Sequence, residues 1–507
     1  MNEVNLKTRT LGSILGQGRR SNEILVVSSV QRTGTLRKGA MLAHTTSNET
    51  ILLQLTDKIT WTDISEQDLQ LMSENERMTY RILQNYPKSF VLRCALAGVI
   101  RDEGEGPRVF SEPISFLADE TSEVRNLTTD EQKLIFDRGS LHVGNSIDGS
   151  KVTFPINGLL QRHLSIIGMT GSGKSYLVGV LCEELAKHKA AIFIVDPHSE
   201  YIPMAQSLPQ TVKRKMYGLG PTSGLSRYTI DVRGISAYDF QHFTGMGEGS
   251  TSILAKVIQN LRKTESSYSM SDILTRLNSI AEERTASEAI AATWARNYLR
   301  NLADSGYIGT SEPRIEEIAG VNQISVIGMS GVKERIQQFL VTNILQRIFE
   351  ARKQERIPPV IVIIEEAHRF APSGENSPST AAIRTLATEG RKFGICLVVV
   401  TQRPNRLDST VLSQCVTNIV MKVKNPSDLN SIKLSAENIT DDLIDLLPRF
   451  EKGEAVVMGE AFPISIRFRV RSERKTEHGG KSVDFENHWA QETSKTNKKR
   501  FEFPDEL

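Results

Sequence analysis

The sequence predicts an α/β protein, a parallel sheet covered by helices, with a small β-rich module in front and a helical insertion inside. Three observations predict it. Beyond Gly144 short apolar strands alternate with helical stretches, the pattern of strand–helix–strand units. Over residues 9–138 short apolar runs are instead punctuated by glycine turns, at the spacing of a small barrel or sandwich. Residues 236–306, between the second and third core strands, carry apolar side chains at helical intervals.

At 507 residues the chain exceeds what one small core can organise, and two to four domains are expected. The expected units are 1–138 (β-barrel-type docking module), 139–235 and 311–470 (two parts of the α/β core), 236–310 (helical insertion) and 471–507 (polar extension). No apolar run approaches the ~18 residues of a membrane span, and the polar first ten residues do not form a signal peptide. Cys94, Cys182, Cys396 and Cys415 lack metal-site spacing, so zinc and disulfide frameworks are not expected, and a cytoplasmic location is. The 62 basic and 60 acidic residues leave a net charge of +2. That balance argues against wholesale coating of nucleic acid but allows a local basic surface such as a channel lining.

Each element rests on its own pattern. In the first module, apolar runs at 23–30, 51–55 and 89–100 are separated by turns at Gly34, Gly39 and 104–106; residues 65–84 read as a helical or irregular insertion. No acid–base cluster occurs there, which favours docking or folding over catalysis. In the core, strands are expected at 163–168, 191–196, 324–328, 360–365 and 396–401. A helix starts at Lys174, and another, ending near Lys353, has Ile336, Phe339, Leu340, Ile344 and Ile348 on one face. The insertion shows three stripes: Ile253, Leu254, Val257, Ile258 and Leu261; then Ile273, Leu274, Leu277 and Ile280 behind a cap at Ser271; then Ile290, Trp294, Tyr298 and Leu302. Helical spacing assigns Trp294 and Tyr298 to the core rather than to base stacking. The basic triplet 213–215 reads as wet surface, and the tail from Arg471 as flexible or partner-embracing.

Gly168-Met-Thr-Gly-Ser-Gly-Lys-Ser175 fits the phosphate-loop pattern, with a strand before it and a helix after it. Gly168, Gly171 and Gly173 let the backbone curl so that N–H groups, including those of Thr170 and Ser172, face phosphates. Lys174 supplies charge at the β- and γ-phosphates of ATP, and the Ser175 hydroxyl one Mg²⁺ position, with Tyr176 following. Ile361-Val-Ile-Ile-Glu-Glu366 is an apolar strand ending in two carboxylates, a Walker B pattern. Alternation of side chains along a strand gives the two different tasks: Glu365 for Mg²⁺, Glu366 to polarise the attacking water. Gln402 ends the next strand, either as a γ-phosphate sensor or as a plain turn. Asp196-Pro-His-Ser-Glu-Tyr201 puts Asp196 and Glu200 at the carboxyl edge of the sheet, where such folds bind ligands.

Together with Ile364-Glu-Glu-Ala-His-Arg-Phe370, Thr388-Glu-Gly-Arg-Lys-Phe-Gly394 and Val400-Thr-Gln-Arg-Pro404, these segments resemble the HerA family of the HerA–FtsK branch of DNA-pumping ATPases. The resemblance implies a RecA-like core, a homohexameric ring with ATP between subunits, and DNA passing through the pore. It implies a barrel like that of rotary ATP synthases, with a NurA-like nuclease, a sirtuin-like protein or another effector docked on it. Two roles follow: DNA end processing as a translocase or helicase, or an ATPase ring regulating an effector in antiviral defence. Glu366 corresponds to the catalytic base and Arg391 to an arginine finger or sensor; Arg162 is a second candidate for a neighbour's nucleotide, and Arg467 a further cross-subunit contact. Lys422 stands where relatives carry arginine, and a lysine cannot form the bidentate fork. The loop 371–380 and residues 403–406 are candidates for facing the pore. The membrane spans and winged-helix reader of FtsK are not apparent.

Overall fold

The computed structural model describes residues 10–17, 23–29, 36–46, 49–60, 89–111, 122–219, 225–283, 286–375, 377–436 and 439–477. The expected insertion at 65–84 and the tail beyond 477 lie outside them.

The first module is a closed barrel. Glu23–Ser29, Thr10–Gln17, Glu123–Asn126, Met41–Thr45, Thr50–Thr60 and Ser89–Asp102 neighbour one another in that order, and Ser89–Asp102 pairs back onto Glu23–Ser29. Closure leaves no strand edge among these six open to other chains. Leu42 and Leu53 point inside with Ile14, Val26 and Val124, while their neighbours Ala43 and Leu52 point outward into the core cluster around Ile464 and Phe468. The barrel is therefore seated on strand Phe462–Val470 through shared apolar packing.

Among the described residues the core sheet has twelve strands. Eight are parallel, in the order Ser226–Arg227, Lys213–Gly218, Gln323–Gly328, Ala191–Asp196, Val360–Ile364, Ile395–Thr401, Leu164–Ile167 and Thr417–Val420. Glu454–Gly459, Phe462–Val470, Leu141–Ser146 and Lys151–Phe154 extend it antiparallel. Alternation divides the central strands between two apolar layers, as buried parallel strands require. Ile192 and Ile194 face helix Lys174–Lys187, whereas Phe193 and Val195 face helices Glu334–Lys353 and Pro378–Glu389. Strand Lys213–Gly218 was not expected, although Lys213 and Lys215 do stay in water.

The insertion comprises helices Ala237–Thr244, Glu248–Thr264, Met270–Glu283 and Ala286–Asp304. The cap of the third is Ser269 rather than Ser271, with reciprocal hydrogen bonds between Ser269 and Asp272. The fourth corrects the expected stripe. Ile290, Trp294 and Tyr298 are 58%, 56% and 37% exposed; of that stripe Leu302 is buried, and Ala292, Ala295 and Leu299 are buried with it. This helix has two apolar faces, and the one with alanines lets its neighbours approach more closely.

Residues 471–477, expected as the start of a flexible extension, are packed onto the phosphate-loop helix. Arg471 donates to Glu183 at 2.7 Å and Glu184 at 3.2 Å, and Thr476 donates twice to Glu183 at 2.7 Å. Arg474 fills the notch at Gly179, where a Cβ would meet its guanidinium at 2.2 Å.

Candidate nucleotide site

The phosphate loop joins strand Leu164–Ile167 to helix Lys174–Lys187. Gly171 and Gly173 have φ of 79° and 111°, which a side chain would strain, and Gly173 sits at the helix N-cap. The helix N-terminus and the curled backbone together form an anion cradle. Flanking strands hold it: Gly168 N donates to Thr401 O, Met169 N to Lys422 O at 2.8 Å, and Gly453 N to Ser172 O at 2.9 Å. The Ser172 side chain is buried, so only its backbone is offered to a ligand. Lys174 is buried, with Nζ 3.4 Å from Met169 O.

Strand Ile395–Thr401 lies between the phosphate-loop strand and Val360–Ile364. Gln402 thereby meets Thr170 across the mouth of the loop. Glu365 and Glu366 follow the strand, and a left-handed turn at Glu366 (φ 49°), not strand alternation, separates their environments. A positive φ at a non-glycine residue is strain held by its surroundings, and such residues cluster at active sites.

Glu365 is buried and accepts a hydrogen bond from Tyr201 Oη at 2.7 Å. Burial pushes its carboxyl up to about 8, against the pull of Tyr201 and Lys174 and with repulsion from Glu366 and Asp196. Glu366 is raised as well, by burial first, while Lys174 and His198 oppose the shift. Its Oε2 is buried without a hydrogen bond among the described residues, although His368 Nδ1 lies 3.3 Å away. Burial and the cations Arg403, Arg369, Arg406 and Lys174 hold His368 down at about 4, so the imidazole is neutral and the approach is not an ion pair. An unbonded, raised carboxylate is what a water-activating base requires.

Asp196 is buried and accepts from the Tyr201 and His198 amides at 2.7 and 3.3 Å, which makes it the organiser of its own loop; burial pushes it up to about 6. That loop places Glu200 3.4 Å from Ser175 Oγ. Among the described residues no three metal-binding side chains converge. Phosphate-loop Mg²⁺ needs fewer, since phosphates and water complete its octahedron. The Ser175 hydroxyl and the buried Glu365 carboxylate, short of positive charge, fit that ion.

A family model described as "Helicase HerA, central domain" matches residues 141–348. That segment of the chain is similar to the central domain of the HerA family. The protein named DNA double-strand break repair helicase HerA of Sulfurisphaera tokodaii is 26% identical over 413 residues, covering 78% of this chain and 80% of the relative. That of Pyrococcus furiosus is 26% identical over 433 residues, covering 72% and 77%. Among solved structures, VirB4 of Thermoanaerobacter pseudethanolicus superposes with a TM-score of 0.51 at 15% identity, over 67% of this chain and 98% of that one, a likeness of fold.

In this core the remaining predicted residues divide by sheet edge. Lys174, Ser175, Glu200, Glu365, Glu366 and Gln402 gather at the carboxyl edge. Arg391 and Arg162 precede strands Ile395–Thr401 and Leu164–Ile167, at the amino edge, roughly 20 Å away by strand rise. Arg162 pairs with Glu460, and Arg391 acts electrostatically on His163. Arg467 is not brought to the phosphate loop: it is held by Glu454 at 3.1 Å, Lys38 O at 2.7 Å and the Phe450 ring. Tyr176 is covered by the 471–477 segment, donating to Ser472 O at 2.7 Å under the Arg474 guanidinium. Sequence reasoning assigned no role to Tyr201 or His368. Both lie inside motifs it quoted, one residue beyond Glu200 and two beyond Glu366, and that adjacency was the available signal.

Proposed function

We propose that this chain is a Mg²⁺-dependent, DNA-translocating ATPase that works as a homohexamer with a nuclease docked on its barrel. The observation that carries the reading is the gathering of Lys174, Ser175, Glu365, Glu366 and Gln402 at the carboxyl edge, in a chain related along most of its length to proteins named as double-strand break repair helicases. Bound Mg²⁺ would neutralise charge on the β- and γ-phosphates. Lys174 and the loop amides orient the triphosphate, and Glu366 takes the proton of the attacking water. Arg162 and Arg391 sit too far from their own phosphate loop to serve it, which favours a ring in which one subunit's amino edge completes the next subunit's site.

The test measures ATP turnover with and without duplex DNA, alongside particle mass. Turnover that needs Mg²⁺, rises with DNA and disappears in Lys174→Ala is expected. A monomer with full turnover would remove the ring from this reading. Cross-links from a co-purified nuclease should fall on the barrel; cross-links confined to the insertion would move the docking site.

A further inference from the structure

The exposed aromatic face of the insertion borders a groove that the hydrolytic site does not use. Trp294 and Tyr298, with the amides of Asn297 and Asn301, line a cavity of about 840 Å³. Their ring centroids are 6.4 Å apart and the planes tilted by 38°, so neither ring closes off the other. Lys333 and Arg335 form another wall, at the start of helix Glu334–Lys353. Both are exposed, and among the described residues neither is drawn into an ion pair; Glu334 between them turns to Arg369 at 3.4 Å. Arg335 also lines the adjoining cavity of about 650 Å³, which reaches residues 377–379.

The cationic wall is tied to both catalytic segments. Met329 N donates to Asp196 O at 3.0 Å and Ser330 N to Ser199 Oγ at 3.3 Å, joining it to the loop that holds Glu200 against Ser175. Gln337 Nε2 anchors Met329 O at 2.9 Å, and Gln338 Nε2 donates to Arg369 O at 2.8 Å, three residues beyond Glu366.

We propose that this groove binds single-stranded nucleic acid, with bases stacked on Trp294 and Tyr298 and phosphates on Lys333 and Arg335, and that residues 329–338 transmit its occupancy to the hydrolytic site. The proposal rests on the DNA-translocating reading above. Aromatic faces beside cations are how non-specific single-strand sites are built, and amides add hydrogen bonds to base edges. A neutral protein surface laid here would leave two cations desolvated and unpaired, whereas a phosphate backbone compensates both. Stacking needs free base faces, which a duplex hides.

The test uses the full chain and a fluorescein-labelled oligothymidylate. Trp294→Ala with Tyr298→Ala should weaken binding about tenfold or more and remove stimulation of turnover by the oligonucleotide. Basal turnover and particle mass should stay unchanged, as they should in a Leu434→Ala control, another exposed apolar residue. Lys333→Ala with Arg335→Ala should lower the slope of log affinity against log salt by about one to two. Wild-type affinity in both double variants overturns the groove alone. Loss of particle mass in the aromatic variant makes the stripe a subunit contact and overturns it too. Wild-type protein that hydrolyses ATP but binds neither single strand nor duplex overturns the translocating reading, and the groove with it.

Discussion

At the carboxyl edge of the core sheet Asp196, Glu365, Glu366 and Lys174 are packed close together, three of them buried, while at the amino edge, near His163, Arg391 is exposed and Arg162 is half-buried against Glu460. Burial raises all three acids, and each raised acid invites a cation or a proton. An arginine in water, as Arg391 is, has no such demand placed on it. The carboxyl edge is thus a candidate site short of positive charge, and the amino edge, through Arg391, a surface with positive charge to offer. The proposed ring, with one edge stacked against the other, would satisfy both, which an isolated chain cannot.

The sharpest way to break that comparison is to mix two inactive proteins. Arg391→Ala is expected to lose roughly 10³-fold or more in turnover, the scale of an arginine finger. Rings mixed with Lys174→Ala should regain part of it, because some interfaces then hold both groups. No recovery in rings shown by mass to be mixed would exclude Arg391 from the neighbour's site and leave Arg162.

Within the carboxyl edge, Glu366→Gln should keep nucleotide binding but slow hydrolysis by at least ~10²-fold, as loss of a general base does. Glu365→Gln should instead raise the Mg²⁺ concentration needed for half-maximal turnover. Identical kinetics and Mg²⁺ titrations for the two would end the division of labour that their surroundings suggest.

Away from the chemistry, Arg471→Ala removes the cation shared by Glu183 and Glu184 and should cost about 1.5–3 kcal/mol in chemical denaturation, the range for hydrogen bonds to charged groups. An unchanged midpoint would mean that residues 471–477 contribute nothing to the helix beneath them.

The smallest effect belongs to the amino edge. His163 accepts from Leu397 N at 3.0 Å and donates to Ala387 O at 2.8 Å, so it is held neutral. Burial depresses its pKa, helped by Arg391 and opposed by the Ala387 carbonyl. The unfolded chain therefore takes up a proton as pH falls below about 6.5, where the folded chain does not. Stability should decline from that point downward, and His163→Gln should flatten the decline between about pH 7 and 5 in thermal melts. An equally steep loss in the variant would assign the acid sensitivity to other groups.

Much of this was legible in the residues alone. The phosphate loop is contiguous, its conformation is dictated by glycines, and its chemistry lies in two adjacent side chains, so no distant contact is needed to recognise it. The same holds for the core strands expected at 191–196, 360–365 and 396–401, whose apolar runs admit few other environments and which form within one residue of those bounds. Strand Lys213–Gly218 escaped notice because Lys213 and Lys215 face water and only its last two positions are buried.

What tertiary structure decided was every question of which partner and which side. Periodicity marked helix Ala286–Asp304 as amphipathic but could not choose between its aromatic and alanine faces, since that depends on how closely the neighbouring helices approach. Tyr201 on Glu365, 164 positions away, and Arg471 on Glu183, 288 away, are pairs that only the folded chain brings within hydrogen-bonding distance. The separation of Lys174 from Arg391 is likewise a property of the sheet. Parallel strands send their carboxyl ends to one edge and their amino ends to the other, so residues read together in one motif set came to rest on opposite faces of the domain.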